Sequence, residues 1–571
     1  MANLVSPGYK NSSLINSVLS PIENRIIEFK GLNRKSFVDE GEMSDMWNLT
    51  SDNYPLLCPR KLRGTYELPE GVKKPLSIMT RYERIALIAE KEDGAIAFFY
   101  DGEEIPSVTG LTVDTSMVAI NTKICFFPQK TYLSIEREGS SVTIHDYGYM
   151  EADTGEISAS IDISLEEAKV TLPTAQDYKY DDAIDLAGTL TYTVETESEG
   201  QTVEEQKTVD CTVSCVIEEV NGNVLTLPNA TFIELVGEGV ETATFEGSIK
   251  REVPDLIHVI EWNNRLWGAS DKDNTIYACK LGDPTNWKYF QGTSMDSYYA
   301  QQGTDENWTG SAAYSGHLIF FKENRMTKVY GTSPSSFQVT NARCFGVEEG
   351  SSKSVVVLND KVLYKSTLGI MAYDGGIPYL VSERLNCKFK NVVAGTEGVK
   401  YYASYERDDG ENELMVLDID KATWHKEDDV RFRSCTLLGA KLYFIADKDT
   451  DTFKADTVYI INPDVATETK KNRKWQAVFG PFDEYVENKK IYSKMSLRFI
   501  AQPYTKIIVS MKSDDNEWII VREFAYTETG GETIYIVPRR CDRFWIKVQG
   551  VGDCEIKTLT RRFRSGGTVK P

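Results

Sequence analysis

Six stretches of the chain share one pattern: an apolar strand, a turn of Gly, Asn or Asp, then a second strand ending in tyrosine and a polar turn. They are Tyr82–Asp101, Val259–Lys280, Tyr314–Gly331, Leu358–Gly375, Val399–Asp420 and Leu438–Asn462. A short strand with alternating side chains buries one face and needs partners along its edges, so a recurring pair specifies a series of small antiparallel sheets. Helical periodicity is nearly absent. The expected class is all-β: a divergent β-propeller with an inserted small β domain and a C-terminal β-sandwich.

Composition shifts suggest five segments. Residues 1–65, broken by Pro21, Gly31, Pro55 and Pro59 and carrying apolar anchors such as Phe29, Leu32, Met46 and Leu57, read as an extended N-terminal arm. Residues 66–149 read as the first part of the propeller. In 150–250 Tyr and Trp thin out and Thr and Glu rise, so this segment is expected to be an inserted acidic β-rich domain. Its polar run ETESEGQTVEEQ is expected as an exposed hairpin loop. Residues 251–470 return to the repeat, with Trp262, Trp267, Trp287, Trp308 and Trp424 suited to packing between sheets. The polar run after Pro463 marks a boundary, and 471–571 alternate as a C-terminal β-sandwich.

With 86 acidic against 64 basic residues the formal charge is -22, which argues against general affinity for phosphate backbones. The ten cysteines are dispersed, and only Cys211 and Cys215 lie close together, so reduced buried thiols are expected. The four histidines are isolated in sequence. No metal site and no cofactor are expected. No secretory signal is evident in MANLVSPGYKNSS, and no apolar run reaches the length of a membrane span.

Four sets of residues invite chemistry. Glu261, Asp283, Asp296, Glu323, Asp374 and Glu427 lie near aromatics, as paired glycosidase carboxylates would, but they equally suit turn capping and pairing with nearby Arg and Lys. Ser351, Ser352 and Ser354 fit neither a phosphate loop nor a nucleophile elbow. DKDTDTFKAD resembles a calcium loop in composition but lacks its glycine and terminal Glu, so a hairpin turn is expected. Arg539, Arg540, Arg543, Arg561, Arg562 and Arg564 concentrate positive charge in an acidic chain and are the candidate partner-docking set, since guanidinium pairs bidentately with carboxylates. No catalytic residues are expected.

The stretches EWNNRLWGASDKDNTIYACKLGDPTNW (261–287), FFKENRMTKVYGTSP (320–334), GVEEGSSKSVVVL (346–358) and GIMAYDGGIP (369–378) resemble a tailed-bacteriophage structural protein family. So does LNRKSFVDEGEMSDMWNLTSDNYPLLCPRK (32–61). The overall plan resembles the propeller-bearing nozzle, or tubular tail protein B, of short-tailed phages. That resemblance implies a non-enzymatic virion structural protein, made in the host cytoplasm. It would form a homohexameric ring below portal and adaptor, joining head to tail, and double-stranded DNA would pass through it at genome ejection without tight binding. Trp262, Asn263, Asn264, Arg265, Trp267, Asp283, Pro284 and Trp287 would fix blade geometry. Glu197, Glu199, Glu204 and Glu205 would either face the channel or meet other tail parts. The competing expectations are a tail-tip receptor- or glycan-binding protein and a propeller glycoside hydrolase.

Overall fold

The computed structural model describes residues 21–164, 167–198, 201–471, 473–528, 531–536 and 539–565. It is all-β, made of many small antiparallel sheets, with one short α-helix, Ala230–Val236, among the described residues. The repeat in the sequence corresponds to tight hairpins. Trp262 pairs with Arg265, Leu358 with Lys361 and Arg81 with Arg84, leaving two residues in each loop. Those loop residues are left-handed: Asn263 and Asn264 (φ 51 and 57°), Asn359 and Asp360 (47 and 54°), Tyr82 and Glu83 (51 and 59°). Two consecutive positive φ values define the turn whose twist matches that of the flanking strands, and Asn and Asp reach them at little cost.

The chain divides into two compact units, one of residues 1–92 with 349–571 and one of 93–348. Within 93–348, three four-stranded meanders run through Ser116–Tyr149, Ile257–Gln301 and Gly310–Arg343. An eight-stranded sheet occupies 152–251 around the long hairpin Ala183–Ser198 and Gln201–Val216. It encloses its own core, which includes Ile161, Val170, Leu186, Leu190, Phe232 and Phe245.

In the other unit, four-stranded sheets run through Val356–Leu380 and Phe389–Asp428. A third joins Phe432–Leu438, Lys441–Ala446 and Val458–Ile461 to the distant strand Gly64–Tyr66. Two five-stranded sheets are built mainly from residues 474–565, and both take a strand from the beginning of the chain. Ile22–Ile26 pairs with Cys554–Ser565, and Met43–Trp47 pairs with Lys474–Phe482. The segment expected as an arm therefore enters the core: Phe29, Leu32, Met43 and Met46 are buried with Phe479, Leu497 and Ile546.

The expected β-propeller is corrected here. The small sheets are separate open rows, each with two edges, and none closes into a barrel or a propeller-like ring. The reason is one of range. Alternation and two-residue turns dictate a hairpin and its neighbour locally. How one sheet follows another depends on contacts between residues hundreds of positions apart, as with Gly64–Tyr66 beside Val458–Ile461, and no repeat specifies those.

Candidate functional site: an exposed aromatic platform

The motif beginning at Trp262 builds a rigid loop. After its turn at Asn263–Asn264 the strand carries Arg265, wholly buried, whose guanidinium faces backbone carbonyls. Nη1 donates to the oxygens of Cys279 (2.7 Å), Asp296 (2.6 Å) and Met295 (3.3 Å), and Nη2 to Ser294 (2.8 Å). Burial lowers its pKa from the ordinary arginine value, with partial compensation from Cys279 and Asp296. One side chain thus ties together both ends of the connection between strands Thr275–Ala278 and Tyr298–Gln301.

Two aspartates fix the rest of that connection. The Asp283 carboxylate accepts from Thr285 N (3.0 Å), Thr285 Oγ1 (2.8 Å) and Asn286 Nδ2 (2.6 Å), while Trp287 Nε1 donates to Pro284 O (2.7 Å). Asp296 accepts from the backbone N–H groups of Gln291, Gly292 and Thr293 and from Thr293 Oγ1. Burial pushes the Asp296 carboxyl up, but the hydrogen bonds from Thr293 and the backbone outweigh it and hold the group below its usual value. Gly282 (φ 76°) makes the reversal, hydrogen-bonded to the Asn264 carbonyl and to the Asn121 side chain.

This scaffold presents aromatic rings to solvent. Tyr277 and Tyr299 are direct cross-strand partners, with ring centroids 6.5 Å apart. Phe290, from the loop, meets Tyr299 edge-on at 5.8 Å. Tyr299 is 60% exposed, Phe290 48% and the neighbouring loop residue Met295 42%. Tyr277 Oη donates to Asp273, and burial, followed by that carboxylate, pushes the phenol up to about 12. Gln301 Nε2 donates to Asp273 O (3.2 Å), and Lys288 Nζ pairs with Asp185 (2.5 Å) and Glu252 (2.7 Å). The result is an apolar face of rings rimmed by amide, carboxylate and ammonium groups, all held by prior hydrogen bonds.

The residues singled out by sequence fall elsewhere or serve the scaffold. Trp262, Trp267 and Trp287 are core, and Trp267 packs on Phe337 at 5.1 Å. The acids near aromatics are engaged locally. Glu261 accepts from Asn264 N, Asp374 from Gly376 N, and Glu427 pairs with buried Arg63. Ser351 and Ser354 accept from the backbone of Val392 and Lys365. In the acidic turn, Asp449 accepts from Ala455 N.

Among the arginines, Arg561 is buried between Glu40 and Glu484, whereas Arg562 is half-buried and Arg540, Arg543 and Arg564 are exposed. The Arg539 side chain, the Glu197 side chain and all of Glu199 lie outside the described residues; Glu204 and Glu205 are exposed. The ten cysteines are free, and among the described residues no group of three His, Cys, Asp or Glu side chains is placed to hold a metal ion. Among the described residues no helix is long and apolar enough to cross a membrane.

Sequence reasoning missed Tyr277, Phe290 and Tyr299. The usable signal was the pair Tyr298-Tyr299: alternation turns Tyr298 inward to pack on Trp267 and Phe337 and turns Tyr299 outward.

No family model matches this chain, and no curated protein does. Three solved structures give distant likenesses. Kluyveromyces lactis Hsv2 with a complete loop 6CD is similar at 15% identity and a TM-score of 0.25, over 35% of this chain and 60% of that one. An exo-beta-1,3-galactanase from Phanerochaete chrysosporium is 8% identical over 53% of this chain and 94% of that chain, with a TM-score of 0.21. A putative 6-phosphogluconolactonase from Bacteroides uniformis is 12% identical over 51% and 90%, with a TM-score of 0.23.

With no family model and no curated protein matching, and no propeller ring among the sheets, the resemblance to a tailed-phage structural family is corrected. The virion nozzle, head–tail connection and genome-ejection reading falls with it. The words that carried it, EWNNRLW and GDPTNW, are those that a two-residue hairpin and an Asp-capped loop require, and such local chemistry is open to any all-β chain.

Proposed function

We propose that this protein is a non-catalytic saccharide-binding protein whose contact surface is the platform of Tyr277, Phe290 and Tyr299. The observation that carries the reading is the exposure of Phe290 and Tyr299, beside half-buried Tyr277, on a loop and strand pair already fixed by Arg265 and Asp296. The less polar C–H face of a pyranose ring is matched by an exposed aromatic face, while its hydroxyls need donors and acceptors at the rim, which Gln301, Asp273 and Lys288 supply. Because the rings are ordered beforehand, little conformational entropy is lost on binding. Acids that would serve hydrolysis are committed to turns and ion pairs, which favours recognition over catalysis.

The test is a glycan-array screen followed by calorimetric titration of the best oligosaccharide. Tyr299→Ala is expected to weaken binding about tenfold, roughly 1.4 kcal/mol, with the fold intact by circular dichroism. Absence of any glycan ligand, unchanged affinity in Tyr299→Ala, or turnover of the bound saccharide would each overturn the reading.

A further inference from the structure

One face of the sheet formed by Ile22–Ile26, Cys554–Ser565, Lys490–Ala501 and Gly531–Ile534 collects positive charge. Alternation divides these strands. Ile26, Met495, Leu497, Leu559 and Phe563 turn into the core, and Arg25, Lys494, Arg498 and Arg562 turn out. The outward side chains line a cleft of about 180 Å³ together with Glu23, Ser496, Thr533 and Thr560.

The register orders them into rows. Glu23, Arg562 and Lys494 lie side by side across three strands. The next row is Arg25, Thr560, Ser496 and Thr533, and Arg498 stands one step beyond. A floor of three hydroxyls is therefore bounded by four cations.

Among the described residues no carboxylate forms an ion pair with any of these four cations, Glu23 included; Lys494 meets only the ring of exposed Tyr535, 5.7 Å from its centroid. Lys494 and Arg562 are directly opposite, an arrangement of like charges that destabilises a sheet unless an anion offsets it. Elsewhere in this unit guanidinium groups are matched by forked carboxylate pairing: Arg34 with Glu413 (2.9 and 2.7 Å), Arg60 with Glu468 (2.8 and 3.1 Å) and Arg561 with Glu40 (3.1 and 3.0 Å). The cleft has the cations of that chemistry without the acids.

We propose that this face docks an acidic polypeptide segment of a partner protein. An extended segment presents alternate side chains about 6.6 Å apart, the same step that separates Lys494, Ser496 and Arg498 along their strand. Each guanidinium offers a carboxylate two parallel N–H donors, and the hydroxyls donate to the remaining lone pairs. Nucleic acid fits less well. A base could stack on the Tyr535 ring beside Lys494, but a chain of net charge -22 repels a dense phosphate backbone more strongly than a short acidic segment.

The test is fluorescence anisotropy of a labelled oligoglutamate with the full chain at low salt, with a single-stranded DNA oligonucleotide of matched charge as the second probe. Saturable oligoglutamate binding is expected, weakened at least about tenfold in the double variant Arg498→Gln/Arg562→Gln. Arg25→Gln, on an edge strand and outside the core, is expected to weaken it about threefold and carries the test should the double variant fail to fold. No saturable binding, affinity unchanged by these substitutions, or tighter binding of the DNA would each overturn the proposal.

Discussion

His425 and Glu413 show how single buried groups set the response of this chain to pH. His425 is buried, and its Nδ1 has no hydrogen-bond partner among the described residues. Burial, reinforced by Lys400, pushes its pKa down to about 3 from an ordinary value near 6.5. Between those values the unfolded chain binds a proton that the folded chain refuses. The stability contributed by the neutral ring is therefore complete above pH 6.5 and is lost as pH falls towards 3.

Glu413, wholly buried, accepts from Arg34, Lys426 (2.8 Å) and Tyr405 (3.1 Å). Burial pushes its carboxyl up, but Arg34 and Lys426 overcome this and bring it to about 2. Its contribution is present above about pH 4.5 and is lost as pH falls through 2. The two windows separate. In urea titrations, His425→Gln is expected to flatten the fall in stability between pH 6 and 5 by about 1.4 kcal/mol per pH unit relative to wild type. Parallel profiles for the two proteins in that window would refute the assignment.

The element that matters most is the connection 279–297, and Arg265 governs it. In Arg265→Met the carbonyls of Cys279, Ser294 and Asp296 lose this donor, while that of Met295 keeps the Leu281 N–H. At about 1–3 kcal/mol for each of the two buried carbonyls, Cys279 and Asp296, left unmade, the loss in stability is expected to be at least about 2 kcal/mol. Amide exchange should quicken first at 290–296. Arg265→Lys, with three donors on a point charge, should recover part of it. A Met variant with wild-type stability and loop protection would contradict this role.

The hairpins were legible in the sequence because Asn263-Asn264 and Asn359-Asp360 are the residues that a left-handed two-residue turn selects. The importance of Arg265 was visible only as membership of a motif, since a guanidinium that serves four backbone carbonyls leaves no acidic partner to notice. The platform as a whole was not legible. Beyond the alternating pair Tyr298-Tyr299, which turns Tyr299 outward, Tyr277 and Phe290 look in sequence like the many other aromatics of the chain, and the exposure of Phe290 is a property of the folded loop.

On the scale of the whole molecule, the sequence showed an all-β chain and its strand-rich repeat but not how the sheets assemble. The propeller expectation treated the repeats as successive parts of one ring. The decisive pairings join opposite ends of the chain instead: Ile22–Ile26 with Cys554–Ser565, and Gly64–Tyr66 with Val458–Ile461. Edge strands of this kind carry no marker of their partner, because any alternating strand can supply the missing ladder.

Residues 22–50 are consequently structural. Deleting residues 1–50 removes Phe29, Leu32, Met43 and Met46 from the core, each worth about 1.5–3 kcal/mol when buried, and uncovers two sheet edges. That deletion is expected to lower the first calorimetric melting transition by more than 5 °C and to promote aggregation. A truncated chain that melts like wild type would show that the segment lies on the surface.

Which protons of a bound sugar lie against aromatic rings decides most directly whether the platform binds saccharide. Saturation-transfer difference NMR, with the aromatic protons of the protein irradiated and the best oligosaccharide from the array as ligand, reads this out. Strong transfer to the C–H protons of one pyranose face, abolished in a Phe290→Ala/Tyr299→Ala variant, is the expected result. Transfer spread evenly over the sugar, or equally strong in the variant, would contradict the claim.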